Sequence, residues 1–179
     1  MSGSCCETGG ATSLAQVRVA EEVVTRVHVA LAGQPNVGKS TIFNLLTGLN
    51  QHVGNWPGKT VEQKIGTATY AKVTLDIVDL PGTYSLTANS PEELIAREYI
   101  LTQGPHVIVA IVDAAILERS LYLVAELAQL GAPLVVGLNM LDVATRHGTT
   151  IDTAELCEVI GVPAIGLVAA KKAGIDQLV

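Results

Sequence analysis

The sequence predicts an α/β three-layer sandwich, a mostly parallel sheet of six to seven strands with helices on both faces. Three observations carry the prediction. From Val27 onward, short apolar runs alternate with stretches of helical spacing. The runs are continuously apolar, as strands covered on both faces must be. Glycine, proline and polar pairs punctuate the junctions between them.

Element by element, residues 1–13 are small and polar and read as a loose tail. Residues 14–26 show no clean period, so 1–26 is set apart as a partly disordered N-terminal tail and the domain is placed at 27–179. Residues 27–32 form an apolar run ending at Gly33, followed by a glycine-containing loop. Ile42, Leu45, Leu46 and Leu49 then recur at helical spacing over 40–49. Residues 66–70 and 73–78 read as a strand pair around an Ala71-Lys72 turn. Ser90 caps a helix with Pro91 in its first turn and Glu92 and Glu93 at its positive end, reaching about Leu101. Residues 107–112 are a buried strand, 118–130 a helix stopped by Gly131, and 134–138 a second buried strand. Residues 152–160 form a capped helix closed by Gly161, 162–168 the last strand, and 174–179 the start of a cut-off helix.

Of 179 residues, 49% are apolar and 16% charged, which excludes a disordered chain and suffices for one full core. One Trp, four Tyr and one Phe leave that core to Val, Leu, Ile and Ala. Seventeen acidic residues against eleven basic ones give a net charge of −6, the wrong sign for a general nucleic-acid binder. Cys5, Cys6 and Cys157 make no disulfide framework and suggest a reducing, cytoplasmic setting. Cys5 and Cys6 have no neighbouring His or third Cys and read as reduced tail thiols rather than a metal site. The longest apolar candidate for a membrane span, 107–117, is too short and is cut by Asp113. No signal peptide order is present, so the chain as given is expected to be soluble. His28, His52, His106 and His147 are scattered without ligand spacing and read as surface or core residues.

Three motifs carry chemistry. Gly33-Gln34-Pro35-Asn36-Val37-Gly38-Lys39-Ser40 matches G-x-x-x-x-G-K-[ST] between a predicted strand and a predicted helix. Glycine lets the backbone wrap closely around phosphate oxygens, and the N–H groups there and at Thr41 add the positive potential of a helix start. Lys39 is expected to reach the β- and γ-phosphates from an open, solvated loop, and the Ser40 hydroxyl to ligate Mg²⁺. Asp79-Leu80-Pro81-Gly82 follows 40 residues after Lys39, at a strand end on the same sheet edge. Asp79 there suits Mg²⁺, and the Gly82 N–H suits a γ-phosphate. Asn139-Met140-Leu141-Asp142 follows the next strand, where Asp142 can accept two hydrogen bonds from guanine N1–H and N2–H₂, a pair adenine cannot present. Alone, that tetrapeptide reads as a turn with Asp142 as a helix cap. As the third motif it reads as a guanine site.

In this order the three motifs resemble the translation-factor-related P-loop GTPases. Val53-Gly54-Asn55-Trp56-Pro57-Gly58-Lys59-Thr60-Val61-Glu62 and Asp79-Leu80-Pro81-Gly82-Thr83-Tyr84-Ser85-Leu86 narrow this, resembling the G domain of the FeoB family of bacterial ferrous-iron transporters over 27–179. The resemblance implies GTP/GDP and Mg²⁺ as ligands, with Thr60 sensing Mg²⁺ and the γ-phosphate beside Gly58. It implies a switch I at 52–62 and a switch II at 82–90. Gly54, Pro57 and Gly58 make 52–60 read as an irregular loop. Trp56 is read as a loop residue that moves with nucleotide state, the alternative being a packing anchor. Asn36 marks a potassium-activated group among such proteins, with backbone carbonyls of Gly54 and Trp56 completing a K⁺ cage; a plain turn-forming role stays open. Lys39, Thr60 and Asn36 are the expected catalytic residues.

Two departures stand out. Thr83 occupies the place where many small GTPases carry a water-orienting Gln, so slow turnover is expected. Val168-Ala169-Ala170-Lys171 stands where the last base loop usually reads Ser-Ala-Lys, and the missing hydroxyl at Ala169 is expected to speed nucleotide release. Such proteins continue into a helical domain and a membrane permease, so the chain reads as a fragment whose parent sits at the bacterial inner membrane with this part on the cytoplasmic face. Oligomeric state stays open. The expected function is a regulatory GTPase controlling Fe(II) uptake. A ribosome-assembly GTPase sharing the phosphate loop is the alternative, opposed by the −6 charge and the N-W-P-G segment. A guanine-nucleotide sensor with incidental hydrolysis is a third.

Overall fold

The computed structural model describes residues 25–179. The element order is β1 (Thr25–Gly33), α1 (Lys39–Thr47), β2 (Gln51–Asn55), β3 (Glu62–Tyr70), β4 (Val73–Asp79), α2 (Pro91–Gln103), β5 (Val107–Asp113), α3 (Leu117–Gln129), β6 (Leu134–Asn139), α4 (Leu141–Arg146), α5 (Thr153–Ile160), β7 (Ala164–Gly166) and α6 (Ile175–Leu178). Seven strands form one sheet in the order β2-β3-β4-β1-β5-β6-β7. The ladders from β4 through β7 are parallel, and those joining β2, β3 and β4 are antiparallel.

Alternate residues of the central strands feed two cores. On one face Ala30, Ala32, Ile108, Ala110, Val112, Val136 and Leu138 pack with Ile95 and Ile100 of α2, Leu123 and Leu127 of α3 and Leu156 of α5. On the other, Val29, Leu31, Val109 and Ile111 pack with Ile42, Phe43 and Leu46 of α1 and Ile175 of α6. Phe43 is wholly buried, and such a side chain contributes about 2–3 kcal/mol by leaving water. The parallel strands β1, β4, β5 and β6 end at Gly33, Asp79, Asp113 and Asn139, which brings all three motif loops to one sheet edge.

The helix signals act as the sequence implies. Ser90 Oγ accepts from the Glu93 N–H at 3.1 Å, and Asp152 Oδ1 accepts from the Ala154 and Glu155 N–H groups at 2.8 and 3.2 Å.

Several boundaries differ from expectation. The first strand begins at Thr25, two residues before the apolar run expected from 27, with Arg26 and Val27 pairing with Thr74 and Leu75; the expectations for 1–24, with Cys5 and Cys6, lie outside the described residues. The first helix ends at Thr47 because Gly48 turns the chain with φ 58°, leaving Leu49 98% exposed instead of packed. Residues 52–55, expected in an irregular loop, lie in β2, since the backbone of Val53 and Asn55 pairs with Lys64 and Glu62 of β3. The expected last strand over 162–168 contracts to Ala164–Gly166, although the Pro163 carbonyl still accepts from the Val136 N–H and the Leu167 N–H still donates to the Leu138 carbonyl, both at 2.8 Å; Pro163 itself has no N–H to extend the ladder. α4 was implied only by the alternative of Asp142 as a helix cap, and Asp142 lies inside its first turn instead. Its start follows Met140, which holds φ 63°. Among the described residues, no helix is long and apolar enough to cross a membrane.

Candidate nucleotide site

The phosphate loop leaves β1 at Gly33 and enters α1 at Lys39. Gly38 holds φ +88°, and a Cβ there would stand 2.4 Å from Asn139 Nδ2, so only glycine fits. The Asp79–Gly82 segment is stitched to the loop from below. The Leu80 N–H donates to the Leu31 carbonyl at 3.0 Å and the Thr83 N–H to the Gly33 carbonyl at 3.1 Å. Gly82 then lies so close that a Cβ would stand 3.1 Å from Pro35.

Lys39 departs from expectation. Its side chain is 9% exposed, and its ammonium donates to Asp79 Oδ1 and, at 2.6 Å, to the Leu80 carbonyl. The buried Asp79 carboxylate at the strand end draws the lysine in. Ser40 Oγ donates to the second Asp79 oxygen at 3.3 Å. Two hard oxygen donors thus stand together, the chemistry Mg²⁺ selects.

Asn139 is 3% exposed and uses both ends of its amide: Nδ2 donates to the Val37 carbonyl at 2.8 Å, and Oδ1 accepts from the Ala169 N–H at 3.0 Å. It holds the loops together.

Two cavities open on this edge. One of about 610 Å³ is lined by Gln34, Pro35, Asn36, Gly38, Lys39, Ser40, Thr41, Gly82 and Met140. The other, about 260 Å³, is lined by Gly38, Thr41, Asn139, Met140, Asp142, Val143, Arg146, Val168, Ala169 and Ala170. Gly38, Thr41 and Met140 border both. Asp142 is half-buried, and the exposed Lys171 ammonium stands 3.6 Å from its carboxylate.

Gly54, Trp56, Gly58 and Thr60, expected in switch I, do not line either cavity. They sit on the β2–β3 hairpin, where the Trp56 N–H donates to the Val61 carbonyl and the Lys59 N–H to the Trp56 carbonyl, both at 2.9 Å. Trp56 is buried in the α2 core, edge-on to Tyr99 with ring centroids 5.5 Å apart. The packing-anchor reading of Trp56 therefore holds in this structure. Burial also raises the Tyr99 phenol above its usual pKa. Trp56 Nε1 has no partner among the described residues.

Sequence reasoning missed Val143, Arg146 and Arg119. Arg146 lies four residues past Asp142 on α4, and its Nε donates to the Asp142 carbonyl at 3.2 Å, a helical spacing that reading α4 would have exposed. Arg119 is brought to the phosphate loop by α3, where its carbonyl accepts from Gln34 Nε2 at 2.9 Å. Arg97 is exposed as expected, with Nη1 on the Leu86 carbonyl at 3.4 Å. His28 and His106, far apart in sequence, meet in the fold, the His28 backbone N–H donating to His106 Nδ1 at 2.9 Å; among the described residues no metal-binding group of three or more forms.

The sequence model of the family described as ferrous iron transport protein B matches residues 27–179. The chain belongs to this family. It is 46% identical over 155 residues to the Fe(2+) transporter FeoB of Legionella pneumophila strain Paris, covering 84% of this chain and 21% of that protein. Among solved structures, the FeoB G-domain from Methanococcus jannaschii is 47% identical with a TM-score of 0.76, over 86% of this chain and 93% of that one. A variant of the S. thermophilus NFeoB bound to GDP is also 47% identical, with a TM-score of 0.81 over 85% of this chain and 58% of that one. The chain spans about a fifth of the length of the curated relatives it matches (21%). It corresponds to the FeoB G domain and has the P-loop GTPase fold. The ribosome-assembly alternative is thereby set aside.

Proposed function

We propose that this FeoB G domain binds GTP and GDP with Mg²⁺, hydrolyses GTP slowly, and through the change of nucleotide controls Fe(II) passage through the rest of its parent protein. The observation that carries the reading is the pair of cavities meeting at Gly38, Thr41 and Met140, one walled by the phosphate loop and the other by Asp142. A nucleotide laid across that border has its phosphates over backbone N–H groups and its base edge at a carboxylate.

In this reading Lys39 leaves Asp79 for the phosphates. That frees the Asp79 carboxylate, which with the Ser40 hydroxyl, and Thr60 once switch I closes, would hold Mg²⁺. Bound Mg²⁺ supplies positive charge that offsets the negative charge of the phosphates. Gly82 presents its N–H to the γ-phosphate. Thr83 supports slow turnover: it is 4% exposed, and its N–H is already engaged with Gly33. Its side chain is too buried to orient an attacking water.

K⁺ activation belongs to the same proposal. Asn36 fits the role: it lines the phosphate cavity, is exposed, holds φ 66°, and its side chain makes no hydrogen bond among the described residues. The Gly54 and Trp56 carbonyls would join it only after the hairpin turn opens, because Lys59 now donates to Trp56. In this reading the partners are the helical and permease parts of a parent protein, with this domain on the cytoplasmic face of the inner membrane.

The test is competition of GTP, GDP and ATP for a fluorescent guanine nucleotide, alongside phosphate release. Guanine nucleotides should bind in the presence of Mg²⁺ and ATP should not compete. Equal binding of ATP would sink the base assignment.

A further inference from the structure

Switch II rests on α3. Arg119 and Glu126 lie seven residues apart on that helix, two turns along one face. The Arg119 guanidinium stands over the Tyr84 ring, 4.6 Å from its centroid. Glu126 Oε2 accepts from the Leu86 N–H at 2.7 Å. The same helix is tied to the phosphate loop, because the Arg119 carbonyl accepts from Gln34 Nε2 at 2.9 Å and Gln34 is 3% exposed. One residue therefore touches the phosphate loop with its backbone and switch II with its side chain.

What makes the stack consequential is its position. Tyr84 follows Thr83, whose N–H is bonded to Gly33, and Thr83 follows Gly82, which is pressed against Pro35. Tyr84 is 46% exposed at the mouth of a cavity of about 510 Å³ that it shares with Gln34, Ser85, Glu118, Arg119 and Tyr122. Burial therefore does not hold Tyr84 in place. The guanidinium above its ring and the Glu126 bond to the Leu86 N–H tie this stretch to α3, while Glu93 and Arg97 of α2 also bond Ser85 and Leu86 and leave the Tyr84 ring to Arg119.

We propose that Arg119 is a positioning residue for GTP hydrolysis. By stacking on Tyr84 it holds the switch II backbone, and with it the Gly82 N–H, over the phosphate loop. This rests on the reading of the cavity as a GTP site. The contact acts on geometry needed in the transition state and not on the groups that hold the base or the α- and β-phosphates. Its loss should lower kcat and leave nucleotide affinity alone.

The test uses the 179-residue chain. Steady-state GTP hydrolysis and fluorescent-GDP affinity are measured for the wild type, Arg119→Met, Arg119→Lys, Tyr84→Leu, Tyr84→Phe and the double variant Arg119→Met/Tyr84→Leu. Arg119→Met keeps the apolar stem and removes the cation, and is expected to lower kcat about 3- to 10-fold. KM and GDP affinity should stay within about 2-fold, as a role confined to the transition state requires. Tyr84→Leu should match that loss, and the double variant should be no slower than either single one, since both remove the same contact. Arg119→Lys should recover part of the rate, and Tyr84→Phe, which keeps the ring, most of it. An unchanged kcat in Arg119→Met, losses that multiply in the double variant, or a GDP affinity that falls in step with kcat would each overturn the positioning role. A wild type that binds no guanine nucleotide would instead overturn the reading of the cavity.

Discussion

Asn139 and Val37 lie 102 residues apart in sequence and are joined by a 2.8 Å hydrogen bond from the side-chain amide to the backbone carbonyl. The other end of the same amide accepts from Ala169, 30 residues further on. One buried side chain thus fastens the phosphate loop, the base-loop strand end and the last loop to each other. Asn139→Ala would leave the Val37 carbonyl and the Ala169 N–H without these partners in a buried place. The expected cost is about 2–4 kcal/mol of folding stability, read from urea unfolding at constant m. Asn139→Asp should be at least as damaging, since it sets a carboxylate oxygen against the Val37 carbonyl. A loss below about 0.5 kcal/mol for Asn139→Ala, no more than an ordinary surface change, would show that the bridge is not holding these loops.

Lys39 does more than wait for phosphate. Its ammonium is the buried partner of Asp79, whose side chain is 6% exposed. Lys39→Ala should therefore abolish tight nucleotide binding and also destabilise the domain, by up to about 3–5 kcal/mol, through the uncompensated carboxylate left behind. The double variant Lys39→Ala/Asp79→Asn removes that charge and should regain much of the stability while remaining unable to bind. Circular dichroism melts and a fluorescent GTP analogue separate the two effects. A single variant as stable as the wild type would mean that water already satisfies Asp79.

Asp142 is the carboxylate on the wall of the smaller cavity, where the proposed reading sets the base. Asp142→Asn replaces an acceptor by a donor, so the preference should move from guanine toward xanthine, with the GTP-to-XTP affinity ratio falling at least about 100-fold. Lys171, 3.6 Å away, remains in place and does not itself distinguish the two bases. Competition among GTP, XTP and ATP reads the outcome, and a ratio that does not move would place base selection elsewhere in the cavity.

Much of this was legible because local chemistry and the fold agree. The Ser90 and Asp152 caps, the continuous apolar strands and the strand-end position of Asp79 and Asn139 all follow from residue type and spacing. What was not legible depends on contacts made across the sheet. Gly54 and Pro57 make 52–60 look irregular, yet β3 offers the Val53 and Asn55 backbone a ladder and turns 51–55 into an edge strand. Trp56 carries no sequence mark of burial; only the packing of α2 against β4 makes the slot it fills beside Tyr99. Lys39 looks like a solvated loop cation until Asp79 is brought beneath it. Arg119 is silent in sequence because nothing local ties the first turn of α3 to a loop 85 residues earlier.

Phosphoryl transfer needs positive charge near the bridging and γ-oxygens as the transition state forms. Many GTPases meet that need with an arginine. Here Arg97 is exposed with its guanidinium on the Leu86 carbonyl, and the Arg119 guanidinium lies over Tyr84. Asn36 lines the phosphate cavity with its side chain unbonded among the described residues. A K⁺ ion held there would supply the missing charge. Na⁺ is smaller and suits a cage of the same carbonyls poorly. GTP hydrolysis is therefore expected to run at least about 10-fold faster in KCl than in NaCl, about 1.4 kcal/mol of barrier. Asn36→Ala should erase the difference and leave GTP affinity nearly intact, because Lys39, Ser40 and Asp79 still serve the phosphates and Mg²⁺. The Trp56 carbonyl must give up the Lys59 N–H before it can join such a cage, so the fluorescence of Trp56, the sole tryptophan, should also change when a GTP analogue is added in KCl and not in NaCl. Phosphate release on both proteins at matched ionic strength decides the matter. Equal wild-type rates in the two salts would defeat the potassium mechanism.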